Sequence, residues 1–171
     1  MKLNFRRPAF PAGVSVWHPA SLIAHWFGAG LMPVASGTFG SLAALPFAWA
    51  IQHFAGTAGL ALATAAVAAA GWWAAEVLVA KAASPDHGYI VVDEVAGMWL
   101  TLLFAPQSWL GYTVAFVLFR AADVLKPFPA DWCDRHAKGG LGVMLDDLVA
   151  ALWAGAGTWL IAALAARYGL G

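Results

Sequence analysis

The sequence predicts an all-α, polytopic integral membrane bundle of about four to five membrane helices, with a short N-terminal interfacial helix, forming one domain over residues 1–171. Three observations lead there. Apolar residues make up 62% of the chain and charged residues 11%, about half the charged fraction of an ordinary globular protein. Long apolar stretches recur between short polar islands. The charges gather at the ends of those stretches that share one side. Nine basic and nine acidic residues cannot coat a water-soluble chain of 171 residues, so the lipid bilayer is the expected solvent.

The elements follow in order. Lys2, Arg6 and Arg7 are followed by Pro8, Pro11 and Gly13 rather than by a continuous apolar run, so no cleavable signal is expected. Residues from Pro19 to about Ala29 begin with a proline at a first helical position and end in glycines. With Leu22, Ile23, Trp26 and Phe27 on one face and too little length to span, this segment reads as interfacial. Ser41 to Phe54, interrupted by Pro46, is a marginal span expected to be kinked or partly re-entrant. Thr57 to about Ala80 is long enough to cross a hydrocarbon core of roughly 30 Å. Its many Ala and Gly residues favour close helix–helix packing. Gly88 to Ala105 and Ser108 to Leu125 meet at Pro106-Gln107 as a helical hairpin, and a last span runs from about Asp146 to Ala166.

With an inside N-terminus and five crossings, Lys2, Arg6, Arg7, Lys81, Arg120, Lys126, Arg135 and Lys138 fall on the inner side and only Arg167 outside, as the positive-inside rule requires. Asp86, Asp93, Glu94, Asp123, Asp131, Asp134, Asp146 and Asp147 fall on that same side, and Glu76 lies within a span near it. Acidic residues contribute little to orientation, so their clustering calls for a chemical reason.

Four constellations supply one. Asp93-Glu94 lies inside an apolar stretch, where carboxylates are costly and point to function. Arg120 and Asp123 share a helix face at i,i+3, and Pro127 stops that helix near Lys126. Lys138-Gly139-Gly140-Leu141-Gly142 leads to Asp146-Asp147; the glycines would let backbone amides reach an anion, and paired carboxylates suit Mg²⁺ with its water and phosphate ligands. In Gly37-Thr38-Phe39-Gly40-Ser41, Thr38 or Ser41 would cap a helix whose first N–H groups form an anion site. His87, in Asp86-His87-Gly88, is either a turn residue or an acid, base or supporting group.

Other chemistries fit poorly. Zero formal net charge and the lack of a basic stripe argue against nucleic acid. Cys133 is the only cysteine, so one chain has neither a disulfide framework nor a cysteine metal cluster. The position where a cysteine phosphatase needs its arginine is Gly139, and no Asp-x-Asp supplies an aspartyl nucleophile. A water activated by metal is the remaining nucleophile, the metal also offsetting the repulsion between acidic site and phosphate.

Taken together, Gly37-Thr38-Phe39-Gly40-Ser41, Asp86-His87-Gly88, Val92-Asp93-Glu94 with Gly97, Phe119-Arg120, Asp123, Lys126-Pro127 with Pro129, Asp134-Arg135, Gly139-Gly140, Gly142 and Asp146-Asp147 run in order from about Ser36 to Ala150. In this the chain resembles the bacterial phosphatidylglycerophosphatase A family. The resemblance implies a Mg²⁺-dependent, multi-pass enzyme of the inner membrane, its site facing the cytoplasm. It would hydrolyse phosphatidylglycerophosphate to phosphatidylglycerol and phosphate, the last step of phosphatidylglycerol synthesis. The family's acidic motif residues carry over to Asp93, Glu94, Asp123, Asp146 and Asp147, and its basic ones to Arg120, Lys126 and Arg135. Ala121-Ala122 before Asp123, and Phe128 where Trp is common, depart from the pattern as packing changes.

The expected division of labour gives catalysis to Asp93, Glu94, Asp123, Asp146 and Asp147. Metal binding falls to Glu94, Asp123 and Asp147, with Asp146 as ligand or base and Asp93 likewise. Thr38, Ser41, Arg120, Lys126, Arg135 and Lys138 would hold the substrate phosphate. Two rival readings are a phospholipid phosphotransferase with a cytidine nucleotide donor, whose Asp-Gly…Ala-Arg…Gly…Asp…Asp run is absent, and a small membrane transporter, which favours polar groups near the midplane rather than at one end.

Overall fold

A computed structural model describes residues 10–11, 13–82 and 87–169, so Asp86 and the basic residues Lys2, Arg6 and Arg7 lie outside the described residues. Among those described every regular element is helical: α1 (Pro19–Ala24), a 3₁₀ segment (Trp26–Leu31), α2 (Ser36–Val79), α3 (Val92–Leu102), α4 (Trp109–Leu125), α5 (Ala130–His136) and α6 (Gly139–Tyr168).

Several boundaries differ from the sequence reading. Residues 19–29 do not make one amphipathic helix. Trp26 and Phe27 take positive φ values of 44° and 53°, which ends α1 at Ala24. Trp26 turns inward and Phe27 outward, while Ala20, Ser21 and Ala24 face the bundle. The two segments flanking Gly56 are arms of one 44-residue element, broken only where Gly56 adopts φ 67°, ψ −172°. Pro46 sits in the first arm without interrupting it. The last helix starts at Gly139, well before Asp146, and α5 was not expected at all.

The break at Gly56 folds α2 back on itself. Gly40 packs against Val91 and Gly71 against the neighbouring Val92. These glycines lie at nearly equal chain distance on either side of Gly56, so the arms run antiparallel. Glycine serves there because its φ lies in the left-handed region. The α3–α4 pair turns back in the same way: Ser108 Oγ accepts the Gly111 N–H at 3.0 Å as the cap of α4.

Both turns lie at the same end of the bundle. Gln107 Nε2 donates to the Trp49 carbonyl at 3.0 Å, Tyr112 Oη donates to Gln52 Oε1 at 2.8 Å, and the Trp49 and Trp109 rings stack at 5.4 Å. The opposite end is tied by Ser36 Oγ donating to the Gly88 carbonyl at 2.6 Å and the Val91 N–H donating to the Ala24 carbonyl at 2.8 Å. There too the Gly140 N–H donates to Glu76 Oε2 at 2.7 Å. Glu76 thus answers an uncapped N–H of α6, where helix polarity favours an anion.

The core is built from small residues that bring backbones together. Ala44, Ala48, Val95, Trp99, Phe119 and Ala151 form its centre, and Trp99 Nε1 donates to the Ala44 carbonyl at 2.9 Å. Two helices, Ser36–Val79 and Gly139–Arg167, contain stretches long and apolar enough to cross a membrane. Only 17% and 28% of those stretches is buried within the protein. Core helices of a soluble protein would bury far more, so the exposed apolar surface identifies a membrane protein.

Candidate active site

Three helices deliver carboxylates to one point at the end opposite the Gly56 and Pro106 turns. Asp93 and Glu94 occupy the first turn of α3, where helix polarity favours negative charge. Asp123 comes from the last turns of α4, and Asp146 and Asp147 from the early turns of α6. One oxygen each from Asp93, Glu94 and Asp147 lies within 4.8 Å of the other two. Adjacent side chains diverge by about 100° on a helix, yet both α3 acids reach this point because α6 packs beside their turn.

The second acidic pair divides. Asp147, 4% exposed, joins the α3 acids. Asp146 turns to Lys126, its Oδ2 accepting from Nζ at 2.6 Å, while the same ammonium meets Asp134 Oδ1 at 2.5 Å. Burial lowers the pKa of Lys126, but the two carboxylates win and hold it above the usual lysine range. Lys126 therefore stays charged through ordinary pH.

On the other flank, Arg120 Nη1 pairs with Asp123 Oδ2 at 2.6 Å and donates to Ser41 Oγ at 3.4 Å. The Ser41 hydroxyl donates in turn to the Gly37 carbonyl at 2.9 Å. Arg120 and Asp123 share a face of α4, and Lys126, the left-handed C-cap just past its end, turns to Asp134 and Asp146.

Five carboxylates (Asp93, Glu94, Asp123, Asp146, Asp147) face two cations, Arg120 and Lys126, which leaves three negative charges unmatched. Glu94 Oε2, Asp146 Oδ1 and Asp147 Oδ2 are buried and make no hydrogen bond within the protein. Buried carboxylate oxygens without partners are strongly unfavourable. An all-oxygen, anionic donor set of this kind suits a hard divalent cation, so the residues present fit Mg²⁺. A polar cavity of about 240 Å³ adjoins, bordered by His87, Asp134, Gly139, Gly142 and Asp146.

Asp93, Glu94, Asp123, Asp146, Asp147, Arg120, Lys126 and Ser41 thus gather as the sequence reading expected. Three others do not join them. Arg135 pairs with Asp131 one turn back on α5, the guanidinium exposed and the carboxylate half-buried, away from the acidic cluster. Lys138 is exposed at the N-cap of α6, and Thr38 lies in the first turn of α2 with none of the site contacts that Ser41 makes.

Two motif readings change. The Gly37–Ser41 stretch is helix rather than a loop before one. Its N-cap is Ala35, at φ 51°, without a side-chain hydrogen bond, so neither Thr38 nor Ser41 caps it and its first N–H groups lack that partner. Gly140 and Gly142 serve close packing rather than an anion loop: a Cβ at Gly140 would strike the Glu76 backbone, and one at Gly142 the Ala137 carbonyl.

Sequence reasoning left out two participants. Asp134 completes the grip on Lys126 across the Pro127–Pro129 turn, where no helical spacing signals the pairing. Gly37 makes room for Glu94 and Arg120, both of which a Cβ there would meet; the sequence marked it within the Gly37–Ser41 motif but gave it no role in seating those two side chains.

Residues 22–162 match the sequence profile of the family described as Phosphatidylglycerophosphatase A. A phosphatidylglycerophosphatase A of Escherichia coli (strain K12) is 40% identical over 137 residues, spanning 80% of this chain and 77% of the relative. That of Haemophilus influenzae is 37% identical over 142 residues, 82% and 87% of the two chains. A putative phosphatidylinositol-3-phosphatase of Bacteroides thetaiotaomicron is 37% identical over 139 residues, 77% and 86% of the two chains. No solved structure matches.

Proposed function

Because the chain belongs to the phosphatidylglycerophosphatase A family, and so is a phosphatase, we propose that it hydrolyses phosphatidylglycerophosphate to phosphatidylglycerol and inorganic phosphate in phospholipid biosynthesis, with Mg²⁺ held by its carboxylates. The observation that carries the reading is the convergence of five carboxylates, two cations and the uncapped start of α2 at one end of an apolar bundle. The two arms of α2, then α3, α4 and α6, each cross or enter the bilayer of the bacterial inner membrane. The positive-inside rule sets the charged end toward the cytoplasm. The tails of the substrate stay in the membrane and its headgroup meets the charged end.

Asp93, Glu94 and Asp147 would hold the ion, with Asp123 beside them. When bound, Mg²⁺ supplies Lewis acidity toward the phosphate oxygens. Arg120 has five N–H donors. It commits contacts to Asp123 and Ser41 and presents others to the phosphate, where a guanidinium binds two oxygens at once. The first N–H groups of α2 add donors of the kind that hold phosphate at helix starts. A carboxylate of the cluster, Asp146 or an Asp93 not engaged with the ion, accepts a proton as water attacks phosphorus. The bond between phosphorus and the glycerol oxygen breaks, and that oxygen takes up the proton the carboxylate received from water, leaving as the hydroxyl of phosphatidylglycerol. Lys126 keeps Asp146 oriented.

The test is phosphate release by the purified, detergent-solubilised protein from phosphatidylglycerophosphate, with Mg²⁺, with EDTA, and with Mg²⁺ restored. The expected result is turnover lost on chelation and regained on restoration. Folded protein that releases no phosphate, or releases it equally in EDTA, refutes the reading. Phosphatidylinositol 3-phosphate run in parallel tests the headgroup named for the Bacteroides thetaiotaomicron relative; preference for it would reassign the substrate and leave the chemistry intact.

A further inference from the structure

Two apolar grooves flank α4, and they differ in what they meet. One, of about 410 Å³, lies between α4 and the C-terminal part of α6, among residues such as Leu110, Val114 and Ile161, at the end far from the carboxylates. The other, of about 660 Å³, runs between α4 and the first arm of α2, with Leu42, Leu45, Trp49, Thr113 and Phe116 on its walls.

The second groove starts where the active site stops. Leu42 follows Ser41 in the chain, and Phe116 lies one turn before Arg120 on the same helix; Ser41 and Arg120 are the pair joined at 3.4 Å. At its other end α2 and α4 are tied together. There Tyr112 bonds to Gln52, Gln107 to the Trp49 carbonyl, and Trp49 stacks on Trp109. Between these two ties α2 and α4 stand apart, and no charged side chain lines the space. From Leu42 to Trp49, and from Phe116 back to Trp109, the slot is roughly 10 Å long at 1.5 Å per residue. It is an apolar slot that starts next to Ser41 and one helical turn from Arg120, and ends at the Trp49–Trp109 stack.

We infer that this groove binds the first part of one acyl chain of the phospholipid substrate, and that the Trp49–Trp109 floor makes it sensitive to chain length. The inference rests on the phospholipid phosphatase reading above. A lipid whose headgroup phosphate lies against Arg120 must pass its tails along the nearest apolar surface, and this groove begins at Phe116, one helical turn from that residue. Its tied end forces longer chains to bend outward into the bilayer.

The experiment compares wild type, Thr113→Trp and Trp49→Ala in detergent micelles on three substrates: long-chain and short-chain diacyl phosphatidylglycerophosphate and the deacylated headgroup. Thr113 faces outward from α4, so the added indole fills the groove without entering the core. Thr113→Trp is expected to lower kcat/KM for the diacyl substrates at least about tenfold, the scale of losing a methylene or two from an apolar pocket, and to leave the deacylated headgroup unchanged. Trp49→Ala opens the floor and is expected to shift preference toward the long-chain substrate, a readout that survives if Thr113→Trp fails to fold. Equal losses on all three substrates by Thr113→Trp, or a chain preference unmoved in both variants, overturns the inference. A seam between two copies of the chain would show as a change in oligomeric mass with parallel losses on all substrates, and would overturn it too. Wild-type protein inactive on every substrate would instead sink the phosphatase reading itself.

Discussion

Gly37 offers the sharpest separation of folding from chemistry in this protein. It lies in the first turn of α2 without a positive φ, so alanine suits its backbone and raises helix propensity by up to about 1 kcal/mol. The added Cβ would nevertheless sit hard against Glu94 Oε1, 3.0 Å from Glu94 Cδ and 3.2 Å from Arg120 Nη1. The atoms in the way are ends of flexible side chains, so they yield and the fold survives. Glu94 must withdraw by on the order of 1 Å, enough to cost about 100-fold in rate where reacting groups are positioned, or about 2.7 kcal/mol of barrier. Gly37→Ala is therefore expected to melt at or above the wild-type temperature while kcat for phosphate release falls about 100-fold. Activity within threefold of wild type would refute the argument that Glu94 must occupy its observed position. A lowered melting temperature accompanying the loss would refute the claim that only the site is disturbed.

Other outcomes follow from the same geometry. Asp147→Asn and Glu94→Gln should each lower turnover by about a thousandfold or more, as expected when a donor to an essential cation is lost, and membrane fractionation should find both variants inserted normally. Gly140→Ala provides the contrast to Gly37: its Cβ meets the Glu76 backbone and the Trp72 carbonyl, which cannot rotate away, so thermal melting should report a loss of about 1–3 kcal/mol from overpacking. Arg135→Ala should change phosphate release less than threefold and stability by no more than about 1 kcal/mol, because its exposed guanidinium pairs only with Asp131 of its own helix.

How far the sequence could be read depended on whether a feature was local. The span between Thr57 and Ala80 announced itself because length and composition alone meet the bilayer's demand, and the α3–α4 hairpin was legible as a pair of helices turning at Pro106. The acids that converge at one end were equally legible, since carboxylates inside apolar stretches require a reason. Phe27 was misplaced because the breaks at Trp26 and Phe27 come from backbone conformations that no residue preference marks. The start of α6 was missed because glycines usually weaken a helix, and only the approach of the Glu76 backbone explains why they occur in its first turn. Arg135 and Lys126 look alike in the sequence; one closes on its own helix, the other reaches two carboxylates from different elements.

By itself, then, the sequence determined a helical, membrane-embedded chain with its charges on one side and the acidic residues available for chemistry, because hydropathy and charge act residue by residue. Tertiary structure decided the rest: that Gly56 folds α2 into two arms, that Asp147 joins Asp93 and Glu94 while Asp146 turns to Lys126, and that an apolar groove begins next to Ser41 and one helical turn from Arg120. Each of those depends on which helix packs against which, and the energies that choose among packings arise from contacts between residues far apart in the chain.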